Sequence, residues 1–204
     1  MKQVTTSIAA ALPEAAKAFA IHGFEQTRIE HIVAATGIPK PTLYYHFSSK
    51  EEILSWLLEA LLQELAAEIG VVMDSDAPAR DRLNSILATY LELFAERPEL
   101  CSVLLRDLGR ISRIPVIADS VRAAFHEPVC KVLEAGLDDG SIRRVDGRVA
   151  SSAIFGMVTM VGLHYVVAGD PIPVPEVIAQ LDDLLERGLS PDRDSAVSTQ
   201  RSVP

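Results

Sequence analysis

The stretch Thr27 to Glu52, TRIEHIVAATGIPKPTLYYHFSSKEE, limits the fold more than any other part of this 204-residue chain. It reads as two short helices joined by a tight turn and followed by the start of a third. Thr27 and Glu30 stand three apart just before Ile32 and Val33. That is the spacing of a capping box, in which the hydroxyl accepts from the third backbone N–H and the carboxylate reaches back. Gly37 closes the helix, because glycine takes the left-handed conformation past a C-terminus at little cost. Pro39 and Pro41 stop the first helix from continuing, and both are tolerated in the opening turn of the next. Leu43 and Phe47 share a face that packs inward with Ile32, Val33 and Ile38, which leaves Thr42, Tyr44, Tyr45 and His46 mostly outward. Ser49 and Glu52 form a second capping box. Lys50 follows in the first turn, where a cation opposes the helix dipole, so helix stability alone does not explain it.

A short helix held at an angle by a glycine-containing turn, displaying hydroxyls, phenols and flanking lysines, is what major-groove readout by a helix-turn-helix requires. Ala15-Ala16, Phe19, Gly23-Phe24, Thr27, Ile32, Gly37, the run Thr42-Leu43-Tyr44-Tyr45-His46-Phe47 and Ser49-Lys50-Glu51 resemble the DNA-binding domain of the TetR family of bacterial transcriptional regulators. The resemblance is dense over about the first quarter of the chain. It departs at Pro39, where family members usually carry Ser or Thr, and at Pro41, where many carry Gly. Lys40 and Thr42 are expected at base edges or nearby phosphates, and Tyr44, Tyr45 and His46 at phosphate or a thymine methyl. Thr27 and Lys50 are expected to hold the DNA backbone from two helix N-termini. Arg28 and Pro41 complete the expected contact set. Packing within the small domain stays open for Tyr44, and a plain surface role for Lys50.

The total charge of −9 argues against a general nucleic-acid binder, so the distribution matters. Residues 1–50 carry five Lys and Arg against three acids, a balance of +2, which leaves −11 for the rest. The acidic remainder repels phosphate and helps orient the molecule. Cys101 and Cys130 lie far apart and form no metal or redox motif, as two small core residues in a reducing cytoplasm would. The apolar N-terminal run is short and broken by Pro13 and Glu14, so neither a signal peptide nor a membrane span is read and a cytoplasmic location is expected.

The rest reads as helix almost throughout. Thr6 or Ser7 caps a first helix ending at Gly23, with Pro13 either kinking it or sitting in its firm first turn. A long helix runs from Ser49 through Ile69 and joins the two parts of the protein, and Gly70 to Ala79 is a loop. Further helices are expected over Pro78–Glu96, Glu99–Arg110, Pro115–Asp138, Arg148–Ala168 and Glu176–Arg187. The fourth of these is apolar nearly all round and should be buried on every side. Residues 190–204 read as a polar, flexible tail with little to bury.

No phosphate-binding glycine loop, metal-spaced His/Cys set or nucleophile elbow occurs, so no metal, cofactor or enzyme activity is expected. The Arg106, Asp107, Arg110, Arg113 cluster is a solvated helix face or carries motion between the two parts. The fold expected is all-α: a three-helix DNA-binding domain over 1–50, a larger helical domain over 51–189 and a tail over 190–204. The resemblance implies a ligand-responsive transcriptional repressor, a homodimer joined through its last two long helices, binding an inverted-repeat operator in double-stranded DNA. It also implies a small-molecule pocket in the larger domain. The apolar supply there places Leu87, Tyr90, Phe94, Cys101, Leu104, Leu105, Phe125, Phe155, Met157, Met160 and His164 around a cavity for a mostly apolar effector. For each of these, simple core packing is the competing reading. Gly156, Gly162, Tyr165, Ile178, Leu181 and Leu185 are the expected dimer interface. A helical protein–protein adaptor with a degenerate helix-turn-helix is the alternative, against which Lys40, Tyr44 and Lys50 argue.

Overall fold

A computed structural model of the chain describes residues 4–106 and 114–187. In order the elements are α1 (Thr6–Ala11), a 3-10 turn (Leu12–Glu14), α2 (Ala15–Gln26), α3 (Ile29–Thr36), α4 (Lys40–His46) and α5 (Lys50–Met73). Then come α6 (Ala79–Glu96), α7 (Pro98–Arg106), α8 (Pro115–Val121), a π-helical turn (Arg122–His126), α9 (Glu127–Asp139), α10 (Gly147–Ala168) and α11 (Val174–Arg187). No strand occurs among the described residues. The expected tail and the Asp107, Arg110 and Arg113 cluster lie outside them.

Pro13 is accommodated by tightening the chain into the 3-10 turn before α2 begins. Gly23 adopts φ 70° and ψ 162° within α2, so the helix breaks there but resumes to Gln26 rather than ending. At the other end of the small unit, α5 runs through Gly70, contrary to the expected loop. Val72 and Met73 pack against the core beyond it, and that burial outweighs the roughly 1 kcal/mol cost of a helical glycine.

The helix expected over Pro115–Asp138 is interrupted. Glu127 N–H reaches the Arg122 carbonyl, five residues back. Pro128 supplies the reason: it has no N–H, and its ring crowds the carbonyl four residues earlier, at Ala124. A wider turn relieves that clash.

A single apolar cluster runs from Leu12, Phe19, Leu43 and Phe47 in the small helices, along α5, to Val177 and Leu181 in α11. α6 lies between α5 on one side and α9, α10 and α11 on the other. Arg80 fastens α11 to α6 through Asp182 (2.9 Å) and Glu186 (3.2 Å), and Asn84 Nδ2 donates to Asp182 Oδ1 at 2.9 Å.

α10 is long and apolar enough to cross a membrane, yet only 28% of its apolar window is buried. The expectation of burial on every side is thus corrected: Ile154, Val158 and Gly162 face inward, whereas Val149, Met160 (61% exposed) and Val167 (77% exposed) face out.

Candidate functional site

The turn between α3 and α4 is built as the sequence requires. Gly37 takes φ 68° and donates its N–H to Val33 O at 2.8 Å. Thr36 Oγ1 donates to Ile32 O at 2.8 Å and accepts from Ile38 N–H at 3.2 Å, bridging the turn. Pro39 occupies the cap position of α4, and its carbonyl accepts from the N–H groups of Thr42 and Leu43. Leu43 and Phe47 are buried, as expected.

What this leaves outward is a compact face. Arg28, Lys40, Pro41, Tyr44 (51% exposed) and Tyr45 (60% exposed) are open to solvent, with Thr42 half-buried beside them. Lys40 Nζ pairs with Glu30 Oε1 at 2.6 Å and lies 5.9 Å from the Tyr44 ring centroid. The hydrogen bond from Lys40 holds the Glu30 carboxyl below its ordinary pKa. An exposed pair of this kind contributes little to stability, so a phosphate can take Glu30's place on the lysine.

Three of the residues expected at DNA are engaged or buried within the chain itself. Thr27 is 1% exposed, and its hydroxyl donates to Gly23 O at 2.6 Å and Ala18 O at 3.3 Å. α3 starts at Ile29, so Thr27 terminates α2 instead of capping α3; Arg28 takes the cap position and its N–H meets His31 Nδ1 at 3.3 Å. Lys50 points inward: Nζ donates to the carbonyls of Phe24 (2.8 Å), Glu25 (2.9 Å) and Thr27 (3.1 Å). It closes the carbonyl end of α2 from the first residue of α5, which explains a cation placed against its own helix dipole. His46 is 6% exposed because it lies three residues from Leu43 on the inward face, and its Nδ1 has no partner among the described residues. The second capping box is shifted by one residue: Ser49 Oγ accepts from Glu52 N–H, while Glu52 Oε2 accepts from Ser48 N–H at 2.8 Å.

In the larger part, a cavity of about 20 Å³ lies among α5, α6, α7, α8, the π turn and α10. Tyr90, Phe94, Cys101, Leu104, Leu105, Phe125 and Phe155 line it, together with Leu62, Leu65, Leu93, Val121 and Ala124, which the sequence reading missed. Their only sequence signal is inward helical spacing, which they share with the whole core. The Tyr90 ring stands edge-on to Phe125 (5.1 Å) and Phe155 (5.8 Å) and tilted to Phe94 (5.4 Å). Burial pushes the Tyr90 phenol above its ordinary range and the Cys101 thiol up to about 12, so both stay protonated. Beside this cluster, His126 Nδ1 lies 2.8 Å from Ser151 Oγ, and burial lowers the imidazole pKa.

The remaining expected residues fall elsewhere. Leu87 is fully buried but off the cavity wall. Met157 is half-buried, and Met160 and His164 are exposed, because they lie on the flank or outer face of α10 rather than with Phe155, Thr159 and Gly162. Among the expected dimer residues, Gly156 and Leu185 are exposed, and Tyr165 and Ile178 are half-buried. Leu181 is buried within its own chain. Gly162 faces inward: a Cβ there would stand 2.8 Å from Phe94 Cγ.

Arg106, at the end of α7, meets the small helices. Its Nη2 donates to the carbonyls of Phe19 (3.4 Å) and Ala20 (3.0 Å). In the sequence it stands out only as part of an arginine cluster.

Residues 11–56 match the profile described as "Bacterial regulatory proteins, tetR family", and residues 76–189 match "Tetracyclin repressor-like, C-terminal domain". Over 132 residues the chain is 28% identical to the HTH-type transcriptional repressor KstR2 of Rhodococcus jostii, a match spanning 63% of this chain and 64% of that protein. The TetR family transcriptional regulator PfmR of Thermus thermophilus is 29% identical, with a TM-score of 0.76, covering 93% of this chain and 100% of that one. The regulator FadR of Bacillus subtilis, solved in complex with stearoyl-CoA, is 19% identical with a TM-score of 0.78, over 89% of this chain and 99% of its own. The chain belongs to the TetR family of bacterial regulatory proteins.

Proposed function

We propose that the protein is a ligand-responsive transcriptional repressor that leaves an inverted-repeat operator when a mostly apolar molecule occupies the cavity. In this reading residues 1–50 bind DNA, residues 51–189 sense the effector and dimerise, and the protein works in the cytoplasm. Arg28, Lys40, Pro41, Thr42, Tyr44 and Tyr45 make the DNA contacts.

The observation that carries the reading is the double duty of α7. Cys101, Leu104 and Leu105 form cavity wall, and Arg106, the next residue, grips α2. α5 does the same in the opposite sense, with Leu62 and Leu65 on the wall and Lys50 on the carbonyl end of α2. At about 20 Å³ the cavity is far smaller than an effector needs. Binding therefore parts its walls, and the helices that part are the ones that hold the DNA-reading unit. A ligand preferring the parted arrangement shifts the spacing of the two heads.

The uncovered apolar face of α10, with Val149, Gly156, Met160 and Val167, and the exposed Leu184 and Leu185 of α11 suit a second copy across a two-fold axis. Such a dimer sets two α4 helices in successive major grooves, ~34–36 Å apart. The stearoyl-CoA bound by FadR supports a long acyl chain as the apolar part of the effector.

The test is fluorescence anisotropy with labelled DNA from upstream of the protein's own gene, with and without stearoyl-CoA. The expected result is specific binding that weakens ~5–150-fold on adding the ligand. Absence of any sequence preference in DNA binding would overturn the reading.

A further inference from the structure

The cavity wall carries one hydroxyl with an unspent proton. Thr159 Oγ1 donates to Tyr90 Oη at 3.2 Å. The phenol oxygen is thereby satisfied as an acceptor, while its own O–H finds no acceptor among the described residues. Tyr90 is 4% exposed and its ring sits among Phe94, Phe125 and Phe155, so bulk water does not serve that proton. Buried hydroxyls are normally paired, and one left unpaired in an apolar site favours whatever brings an acceptor. The other polar group on the wall, the Cys101 thiol, already donates to Leu93 O at 3.7 Å.

Charge narrows the choice of acceptor. Among the described residues, no Lys, Arg, His, Asp or Glu lines the cavity. A carboxylate or phosphate brought to Tyr90 would lose its hydration without a cation to replace it, which is far costlier than burying a neutral carbonyl. The ligand group that fits is neutral, accepts one hydrogen bond and is flanked by apolar surface.

We infer that Tyr90 sets the specificity of this cavity by donating its Oη–H to a neutral carbonyl oxygen carried within a long apolar chain, the group that an acyl thioester or ester presents. Thr159 is a positioning residue. Its donation to Oη strengthens the phenol as a donor, since linked hydroxyls polarise one another. The inference rests on the proposed effector site and adds to it the chemistry at one atom.

The experiment compares stearoyl-CoA with S-octadecyl-CoA, the thioether that lacks only the carbonyl oxygen, by isothermal titration calorimetry on the full-length protein. Wild type should bind the thioester about fivefold to tenfold more tightly. Tyr90→Phe, which keeps the ring, should bring that ratio to about one, and Thr159→Val should reduce it in part. Methyl stearate separates the sources of the carbonyl. If Tyr90→Phe weakens both carbonyl ligands, any neutral carbonyl is recognised; if it weakens only stearoyl-CoA, the thioester is. A wild-type ratio of one overturns the inference without reference to any variant, as does a ratio that survives Tyr90→Phe. Equal binding of both CoA ligands removes this inference alone. If neither binds and the operator is not released, the acyl-effector reading falls with it.

Discussion

Arg106 Nη2 donates to the carbonyl oxygen of Ala20 at 3.0 Å. In an unbroken helix that carbonyl belongs to a backbone N–H four residues on. Gly23, at φ 70°, breaks the ladder in between, and the carbonyls on either side are taken by side chains from two other helices. Arg106 holds Phe19 and Ala20, and Lys50 holds Phe24, Glu25 and Thr27.

Arg106→Ala should uncouple the sensor from the reader. The bond is exposed at one carbonyl, so the stability loss should be only ~1 kcal/mol. Operator affinity without ligand should change little. The ligand-induced weakening, by contrast, should fall to a small fraction of the wild-type factor. Anisotropy titrations with and without effector measure both quantities.

Lys50 and Lys40 should separate cleanly. Lys50→Ala removes three backbone caps and should lower the melting temperature, with a cost of ~1–2 kcal/mol. It should leave the salt dependence of DNA binding unchanged, because its ammonium is already held by three backbone carbonyls. Lys40→Ala should leave stability nearly intact and reduce the log–log salt slope by ~0.9 per protomer. Binding isotherms over a range of salt concentrations decide between them.

The two glycines of α10 should give opposite phenotypes. Gly162→Ala drives a Cβ into the Phe94 ring and should cost ~1–3 kcal/mol, read as an earlier thermal transition. A Cβ at Gly156 would meet nothing within 4 Å, so Gly156→Arg should leave the protomer's fold unaltered. It should instead convert a dimer to monomer in analytical ultracentrifugation.

His126 should make stability depend on pH. Burial depresses its folded-state pKa below the unfolded value of 6.5. The unfolded chain therefore takes up the proton first. The stability tied to the neutral imidazole is fully present above 6.5 and is lost as the pH falls toward the lower folded value. His126→Gln should flatten this part of the profile. Chemical denaturation between neutral and mildly acidic pH provides the check.

The helices were legible because their apolar spacing, proline breaks and Gly37 all act locally. The outward face of α4 was legible for the same reason: Leu43 and Phe47 define the inside, and Tyr44 and Tyr45 follow as outside. Thr27, Lys50 and His46 were not, since each depends on where another helix ends. Thr27 looks like a cap until α2 is known to continue past Gly23. Lys50 looks free until the carbonyls of residues 24–27 are brought beside it. Cavity residues divided along the same line. Phe125 and Phe155 could be named from composition, whereas the facing of Met160 and His164 depends on the rotation of α10, which an all-apolar helix does not reveal. The π turn had a signal in Pro128, readable only once Ala124 was known to lie in the preceding helical turn.

The closed cavity has a consequence for how such a switch is tuned. Its resting form is also its well-packed form, so a ligand entering it as proposed would work against the cohesion of the core before it could alter DNA binding. Substitutions that loosen Tyr90, Phe125 or Phe155 from one another lower that opposing work along with the melting temperature. Under the function proposed above, heat resistance and sensitivity to an effector are therefore antagonistic traits, and a change in either one would move the effector concentration at which DNA is released.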